Sequence, residues 1–327
     1  MILLLGATGY VGQAFANGLR RRKGSFIPLA RKALDYTRFE VLFDYVRKLK
    51  PELVINAAEE PLLNGHFDGA EVEIERMEML RINVLLPQTV ARVCEMTNTP
   101  WGHLSSGSIY SGSKIFESGR MRIEQELRSV AARKMYELHP ERFFGFTELD
   151  EPNCTFKSGE CTFYSGTKAL AEEAIQQYPQ KYAWRFQLPF NEQDDPRNYI
   201  SQLREGFRLG YALNSLSHLD DCVNACLDLW DLRAPFGIYN VVNPGAVRTR
   251  EILESLQRFL KPAGPPQIFV YEEESDSGDG HLADSNCILD ASKLLNAGIK
   301  LRTVQEALHK SLEGWQPAQS PILRTLA

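Results

Sequence analysis

Two sets of residues in this chain are spaced for chemistry: one for proton transfer, the other for binding phosphate. In the run Tyr164-Ser165-Gly166-Thr167-Lys168 a phenol and an ammonium stand four apart, which on a helix places both on one face. A phenol with a reference pKa of about 10 exchanges protons poorly near neutrality. The neighbouring cation is expected to favour the phenolate and lower that pKa, making exchange with a carbonyl or alcohol oxygen feasible. Such a pair also arises by chance in helices, so a third group matters. The stretch His103-Leu104-Ser105-Ser106-Gly107-Ser108-Ile109-Tyr110 ends an apolar run in small hydroxylated residues, and Ser106 there would hold a substrate oxygen beside the tyrosine. Serines in such a cluster also serve ordinary turns.

The second set is Gly6-Ala7-Thr8-Gly9-Tyr10-Val11-Gly12, directly after the apolar run Ile2–Leu5 and before a helical pattern. Glycines at that junction permit a tight turn, close backbone approach to a pyrophosphate and close helix–strand packing. The helix start adds unpaired N–H groups and the positive end of the dipole. A dinucleotide site for NAD usually carries an acidic residue about 20 residues further on. This chain has Leu29-Ala30-Arg31-Lys32 there. Two cations in place of a carboxylate suit a 2′-phosphate and hence NADPH, with NADH still possible. The same two residues also read as a solvated loop.

The elements that must position these groups alternate. Short apolar runs at 2–5, 25–29, 53–56 and 101–105 are separated by helical patterns to about residue 22, at 39–50 and at 81–97. A helix over 164–177 and a buried strand over 182–188 follow, with a late helix at 220–232 and a strand at 237–242. This rhythm predicts an α/β fold, a parallel sheet covered by helices on both faces, with ligands outside the carboxyl ends of the strands. The charged stretch 114–138 interrupts the rhythm and is read as one inserted surface helix. The acidic, glycine-bearing stretch 272–280 reads as a loop.

Composition narrows the function classes. A net charge of −5 argues against nucleic acid, and the one dense basic cluster, at 20–23, reads as the solvated end of the first helix. No apolar run is long enough to span a bilayer, and the apolar start lacks a basic n-region, so a cytoplasmic protein without membrane association is expected. The six cysteines lack disulfide-framework or Cys-x-x-Cys spacing, and Cys222 with Cys226 reads as one turn of packed core helix. The histidines are scattered, so no metal site is expected.

Together the motifs GATGYVG at 6–12, NAA at 56–58, LSSGSIY at 104–110 and YSGTK at 164–168, with Asn83, resemble the extended short-chain dehydrogenase/reductase family. The resemblance implies a Rossmann-type doubly wound sheet over 1–188 and a smaller C-terminal substrate-binding lobe over 189–327, with 213–245 returning to the first unit. It implies Ser106, Tyr164 and Lys168 as catalytic residues. It also implies a cofactor site of Gly6, Thr8, Gly9, Tyr10, Val11, Gly12, Asp35, Ala57, Ala58 and Lys168, the last touching the nicotinamide ribose, to which the cation argument adds Arg31. A homodimer is plausible on the same ground.

Within the family, the stretches at 145–153, 196–200 and 237–245 are similar to dTDP-4-dehydrorhamnose reductases, notably the plant type that both epimerises and reduces a nucleotide-linked 4-keto-6-deoxysugar. Two departures limit this. Gly107-Ser108 stands where family dehydratases carry an Asp-Glu pair, and Ser108 stands where enzymes that also epimerise have a cysteine. A serine is a poor base for a carbon acid, so ketone reduction without efficient epimerisation is expected. Ser106, Ser108, Arg197 and Asn198 are the expected substrate contacts, with Arg204 or Arg208 as further cations that read equally well as surface arginines. The alternatives are an NAD-dependent nucleotide-sugar epimerase and a non-catalytic dinucleotide-binding regulatory subunit.

Overall fold

Runs such as Leu3-Leu4-Leu5, apolar at every position, suit strands buried on both faces, and they form the middle of the sheet. The computed structural model describes residues 1–60, 70–158, 161–204, 212–260 and 286–318. Six parallel strands, β1 (Ile2–Leu5), β2 (Phe26–Leu29), β3 (Leu53–Asn56), β4 (Trp101–Ser106), β5 (Lys181–Phe186) and β6 (Gly237–Asn240), lie in the order β2-β1-β3-β4-β5-β6. The chain winds outward from β1 to β2 and then returns past β1 to β3. The order therefore reverses between β1 and β3, whose carboxyl ends are Leu5 and Asn56, paired in register. A crevice at such a reversal is where doubly wound sheets bind ligands.

Alternation along β1 serves two cores. Leu4 packs with Val11, Phe15 and Leu19 of the Tyr10–Arg21 helix and with Cys222 and Cys226 of the Leu219–Asp231 helix. Leu3 and Leu5 face Leu42, Val46, Leu86 and Val90 on the other side. Cys222 and Cys226 are free and fully buried, core thiols as expected. The basic cluster at the end of the first helix is not simply solvated. Arg21 pairs with Asp220 at 3.1 Å, and Arg22 with Asp228 at 2.7 Å and Asp231 at 2.8 Å, clasping the two helices together.

The inserted stretch is a correction. Only Val130–Leu138 is helical, capped by Ser129, whose hydroxyl accepts from Ala132 N–H. Ahead of it, Ser113–Glu117 and Arg120–Glu124 form an antiparallel hairpin, with Phe143–Phe144 as a third strand. The turn residues Ser118 and Gly119 have φ of 51° and 78°, the pair of positive angles that a tight two-residue hairpin turn requires. The helix expected at 81–97 also starts earlier: Ala70–Leu80 runs through a π-turn at Arg81–Leu85 into Leu86–Met96.

Beyond β5, Pro189–Phe190 pairs with Ser217–His218 and Leu213–Asn214 with Val247–Arg248. These pack with the Tyr199–Arg204, Thr249–Phe259 and Val304–Glu313 helices around a separate core that includes Phe190, Ile200, Leu253 and Leu308. The late strand, β6, pairs with β5 in the main sheet. The acidic stretch 272–280 and Arg208 lie outside the described residues. Among those described, no helix is long and apolar enough to cross a membrane.

One buried ion pair fastens the Phe163–Ile175 helix to this sheet. Arg185 of β5 meets Glu172 at 2.6 Å, and Ser105 of β4, the register partner of Arg185, donates to the same carboxylate at 2.5 Å. Arg185 also donates to the Tyr110 hydroxyl at 3.0 Å, and Tyr110 to the Asp150 carbonyl at 2.6 Å. Removing one partner strands the other charge without water. Glu172→Ala is therefore expected to lower unfolding free energy by about 3–5 kcal/mol in urea denaturation, whereas Asp231→Ala at the exposed clasp changes it by less than about 1 kcal/mol.

Candidate active site

The phosphate loop is shaped by contacts that leave no room for side chains. Gly6 turns out of β1 with φ of 75°, and a Cβ there would lie 2.4 Å from Ala58 N. A Cβ on Gly12 would lie 2.0 Å from the Gly6 carbonyl oxygen. The loop is stitched to its neighbours by Gly6 N–H to Leu29 O at 3.1 Å and Ala57 N–H to Leu5 O at 3.1 Å. Gly9 is the N-cap of the first helix and makes no side-chain cap, so the N–H groups of the first turn are left for an anion. An open helix start, a glycine turn against Ala57-Ala58 and the strand-order reversal together fit a dinucleotide pyrophosphate.

Around this loop the expected contacts are partly engaged already. The Tyr10 hydroxyl reaches Asn191 Oδ1 at 3.2 Å, and the Arg197 guanidinium stacks 5.4 Å over the Tyr10 ring while pairing with Asp195 at 3.1 Å. Asn198 is fully buried. Its amide donates to Asn191 O at 2.8 Å and Gln193 O at 2.6 Å, and its carbonyl accepts from Ile200 N–H at 3.0 Å. Those bonds make Asn198 the brace of its own loop. Arg204 is likewise paired, with Asp194.

At the end of β2, Arg31 is ion-paired with Glu78, which also meets Arg81 at 3.3 Å. Arg81 lies 3.9 Å from Asp35 and donates to Thr37 at 3.1 Å, while Thr37 donates to Asp35 at 2.5 Å. Lys32 is exposed beside them. Glu78 was not legible from the motifs, because it comes from the helix before the π-turn and reaches Arg31 only in the fold.

The catalytic candidates converge at the carboxyl end of β4. The Phe163–Ile175 helix is capped by Thr162, whose hydroxyl accepts from Ser165 N–H at 3.1 Å. Tyr164 and Lys168 share one face of it. Lys168 is 1% exposed and donates to the Leu104 carbonyl at 3.4 Å. Ser106, the last residue of β4, bonds through its hydroxyl to Ser108 Oγ at 2.9 Å and accepts from Ser108 N–H at 3.2 Å. The structure thus gathers Ser106, Tyr164 and Lys168.

It also adds a residue that the motifs did not single out. Tyr164 donates its hydroxyl proton to the Glu59 carboxylate, and Lys168 Nζ lies 2.9 Å from the same oxygen. Burial and then Glu59 push the Tyr164 phenol well above its ordinary value, against the Ser106 hydrogen bond. The lowering expected from Lys168 alone is therefore reversed. Burial opposes charge on Glu59 too, but Lys168 and the Tyr164 hydrogen bond hold it below the usual carboxylate range. Asn83, inside the π-turn, fixes the segment after β3 by bonding both Glu60 N–H and Glu60 O at 3.0 Å, and it donates to Thr167 at 3.3 Å. One-turn π-bulges inside helices often mark functional sites.

Residues 1–132 match the family described as RmlD substrate binding domain. The chain is 27% identical over 310 residues to the bifunctional dTDP-4-dehydrorhamnose 3,5-epimerase/dTDP-4-dehydrorhamnose reductase of Arabidopsis thaliana, covering 94% of this chain and 91% of that protein. It is equally 27% identical to a trifunctional UDP-glucose 4,6-dehydratase/UDP-4-keto-6-deoxy-D-glucose 3,5-epimerase/UDP-4-keto-L-rhamnose-reductase of the same plant, of which it spans 41%. Among solved structures, the L780 UDP-rhamnose synthase of Acanthamoeba polyphaga mimivirus superposes with a TM-score of 0.74 at 19% identity over 96% of this chain and 98% of that one. A dTDP-4-dehydrorhamnose reductase from Bacillus anthracis, solved in complex with NADP, gives 0.65 at 15% identity over 95% of each chain. These two likenesses show the fold.

His103 gives the site's surroundings a measurable pH dependence. It is buried on β4, with Nδ1 3.4 Å from Asn56, and burial followed by the Lys168 charge pushes its pKa down to about 3. Unfolded, it would titrate near 6.5. Because only the unfolded chain then binds the proton, stability falls as pH drops below about 6.5 and goes on falling towards the folded value. Between pH 7 and 5 the parent protein is expected to lose about 2 kcal/mol more than His103→Gln, read as the difference in urea denaturation.

Proposed function

We propose that this chain, a dTDP-4-dehydrorhamnose reductase-like member of the NAD(P)-dependent extended short-chain dehydrogenase/reductase family, reduces the 4-keto group of a nucleotide-diphospho-4-keto-6-deoxysugar using NADPH. The observation that carries the reading is the convergence of Ser106, Tyr164 and Lys168 at the carboxyl end of β4, on the same edge of the parallel sheet as the phosphate loop. A bound nicotinamide would supply the hydride. The chain's own groups do the rest. Tyr164 gives its proton to the oxygen as it becomes an alkoxide, Ser106 donates a hydrogen bond to that oxygen, and Lys168 holds positive charge beside them.

The Gly6–Gly12 loop and the uncapped helix start would hold the pyrophosphate, with Ala57 and Ala58 lining the other wall. Arg31 and Lys32, where an NAD site carries a carboxylate, support NADPH over NADH. Arg31 would share its charge between Glu78 and the 2′-phosphate. Arg197, over Tyr10, is the cation assigned to the sugar nucleotide's diphosphate. Ser108, hydrogen-bonded to Ser106, supports reduction without efficient 3,5-epimerisation, since its hydroxyl is a weak base for a carbon acid.

The test is NADPH oxidation against dTDP-, UDP- and GDP-linked 4-keto-6-deoxysugars. At least one is expected to be reduced, with kcat about 10²–10⁴-fold lower in Tyr164→Phe. Silence with every sugar, while NADPH binding is confirmed, would sink the reading.

A further inference from the structure

Glu59 belongs to none of the motifs, yet its carboxylate sits at the centre of the catalytic group. It lies three residues beyond the end of β3, just after the alanines that meet Gly6. Asn83 pins both backbone groups of the next residue, Glu60, so the segment cannot swing freely. From there the carboxylate takes the Tyr164 hydroxyl proton into a hydrogen bond and stands 2.9 Å from the Lys168 ammonium. Lys168 is 1% exposed, so its charge meets a protein counter-ion rather than water.

We propose that Glu59 is a positioning residue of the catalytic group: its carboxylate balances Lys168 and keeps the Tyr164 phenol protonated, so that the acid for ketone reduction stays loaded across the working pH range. The inference rests on the reductase reading given above. A phenol facing an unopposed buried ammonium is driven towards phenolate, which cannot give a proton. A phenol bonded to a carboxylate that also neutralises the ammonium remains an acid. The reduction then balances: the carbonyl carbon gains hydride, its oxygen takes the Tyr164 proton, and Tyr164 regains one from water.

The charges facing Tyr164 support this balance. Lys168 lies on its own helix, Glu59 and Glu60 on the segment after β3, and Ser106 and the neutral His103 on β4. Beyond Glu60 lie Arg31, Glu75 and Glu78, while Asn83 and Thr167 are uncharged. Of these groups, only Glu59 touches both the phenol and the ammonium.

Glu59→Gln keeps the shape and removes the charge. Its alkaline limb of kcat/KM is expected to move down by about 1–3 pH units, and Glu59→Asp to fall between it and the parent. The ultraviolet titration of each protein, minus that of its Tyr164→Phe counterpart, reads the Tyr164 phenolate without any substrate. It should move by the same amount. Superimposed titrations for the parent and Glu59→Gln overturn the proposal even if the sugars are reduced. Should Glu59→Gln not fold, a Glu59→Asp titration displaced from the parent supports the proposal and an unmoved one overturns it. A parent that is silent on every sugar, together with a Glu59→Gln titration displaced from it, sinks the reductase reading and leaves the Glu59–Tyr164 linkage standing.

Discussion

The geometry of the site depends on the ion pair between Glu172 and Arg185. Tyr164, Lys168 and Glu172 recur every fourth residue, so they share one helix face, and anchoring the third sets the rotation of the first two. Burying two charges is costly, and their attraction repays it only when the remaining polar positions are also satisfied. Ser105 on one side and Tyr110 on the other meet that condition. The pair adds little net stability for its desolvation cost, but it permits one placement of the helix against β4 and β5.

Within that frame the catalytic group is electrically self-contained. One ammonium, one carboxylate and one neutral phenol meet within hydrogen-bond reach, with a buried neutral imidazole close by. A lone charge there would be held at great cost or lose its ionisation. The π-turn has a part in this, because the extra residue in the helix carries Asn83 to the backbone beside Glu59. Helix irregularity and charge balance are thus two aspects of one arrangement.

Much of this was legible before the structure. The all-apolar strands, the glycine turn and the Tyr164–Lys168 spacing are local features, and each resides in a window short enough for periodicity to reveal. What escaped depends on contacts between distant segments. Glu59 meets Tyr164 across 105 positions, and Arg31 meets Glu78 across 47. The hairpin at 113–124 was misread as helix because its charged residues satisfy a helical pattern as readily as an alternating one. The Ser118-Gly119 turn was the local signal that was missed. The internal bonds of Asn198 were hidden for a related reason: polarity in a loop says nothing about whether backbone partners already engage the side chain.

The hairpin and its helix sit between β4 and the catalytic helix, the two elements that must meet for the site to exist. Chain entropy makes this tolerable. The free-energy cost of closing a loop rises only logarithmically with its length, about 0.6 kcal/mol for each doubling. Lengthening, shortening or re-sequencing the hairpin would therefore barely tax the docking of Phe163–Ile175 onto β4, provided the Tyr110–Asp150 link behind it survives. The molecule has in effect a segment where it can be remodelled without retuning its chemistry, a few residues along the chain from the serine on which that chemistry turns.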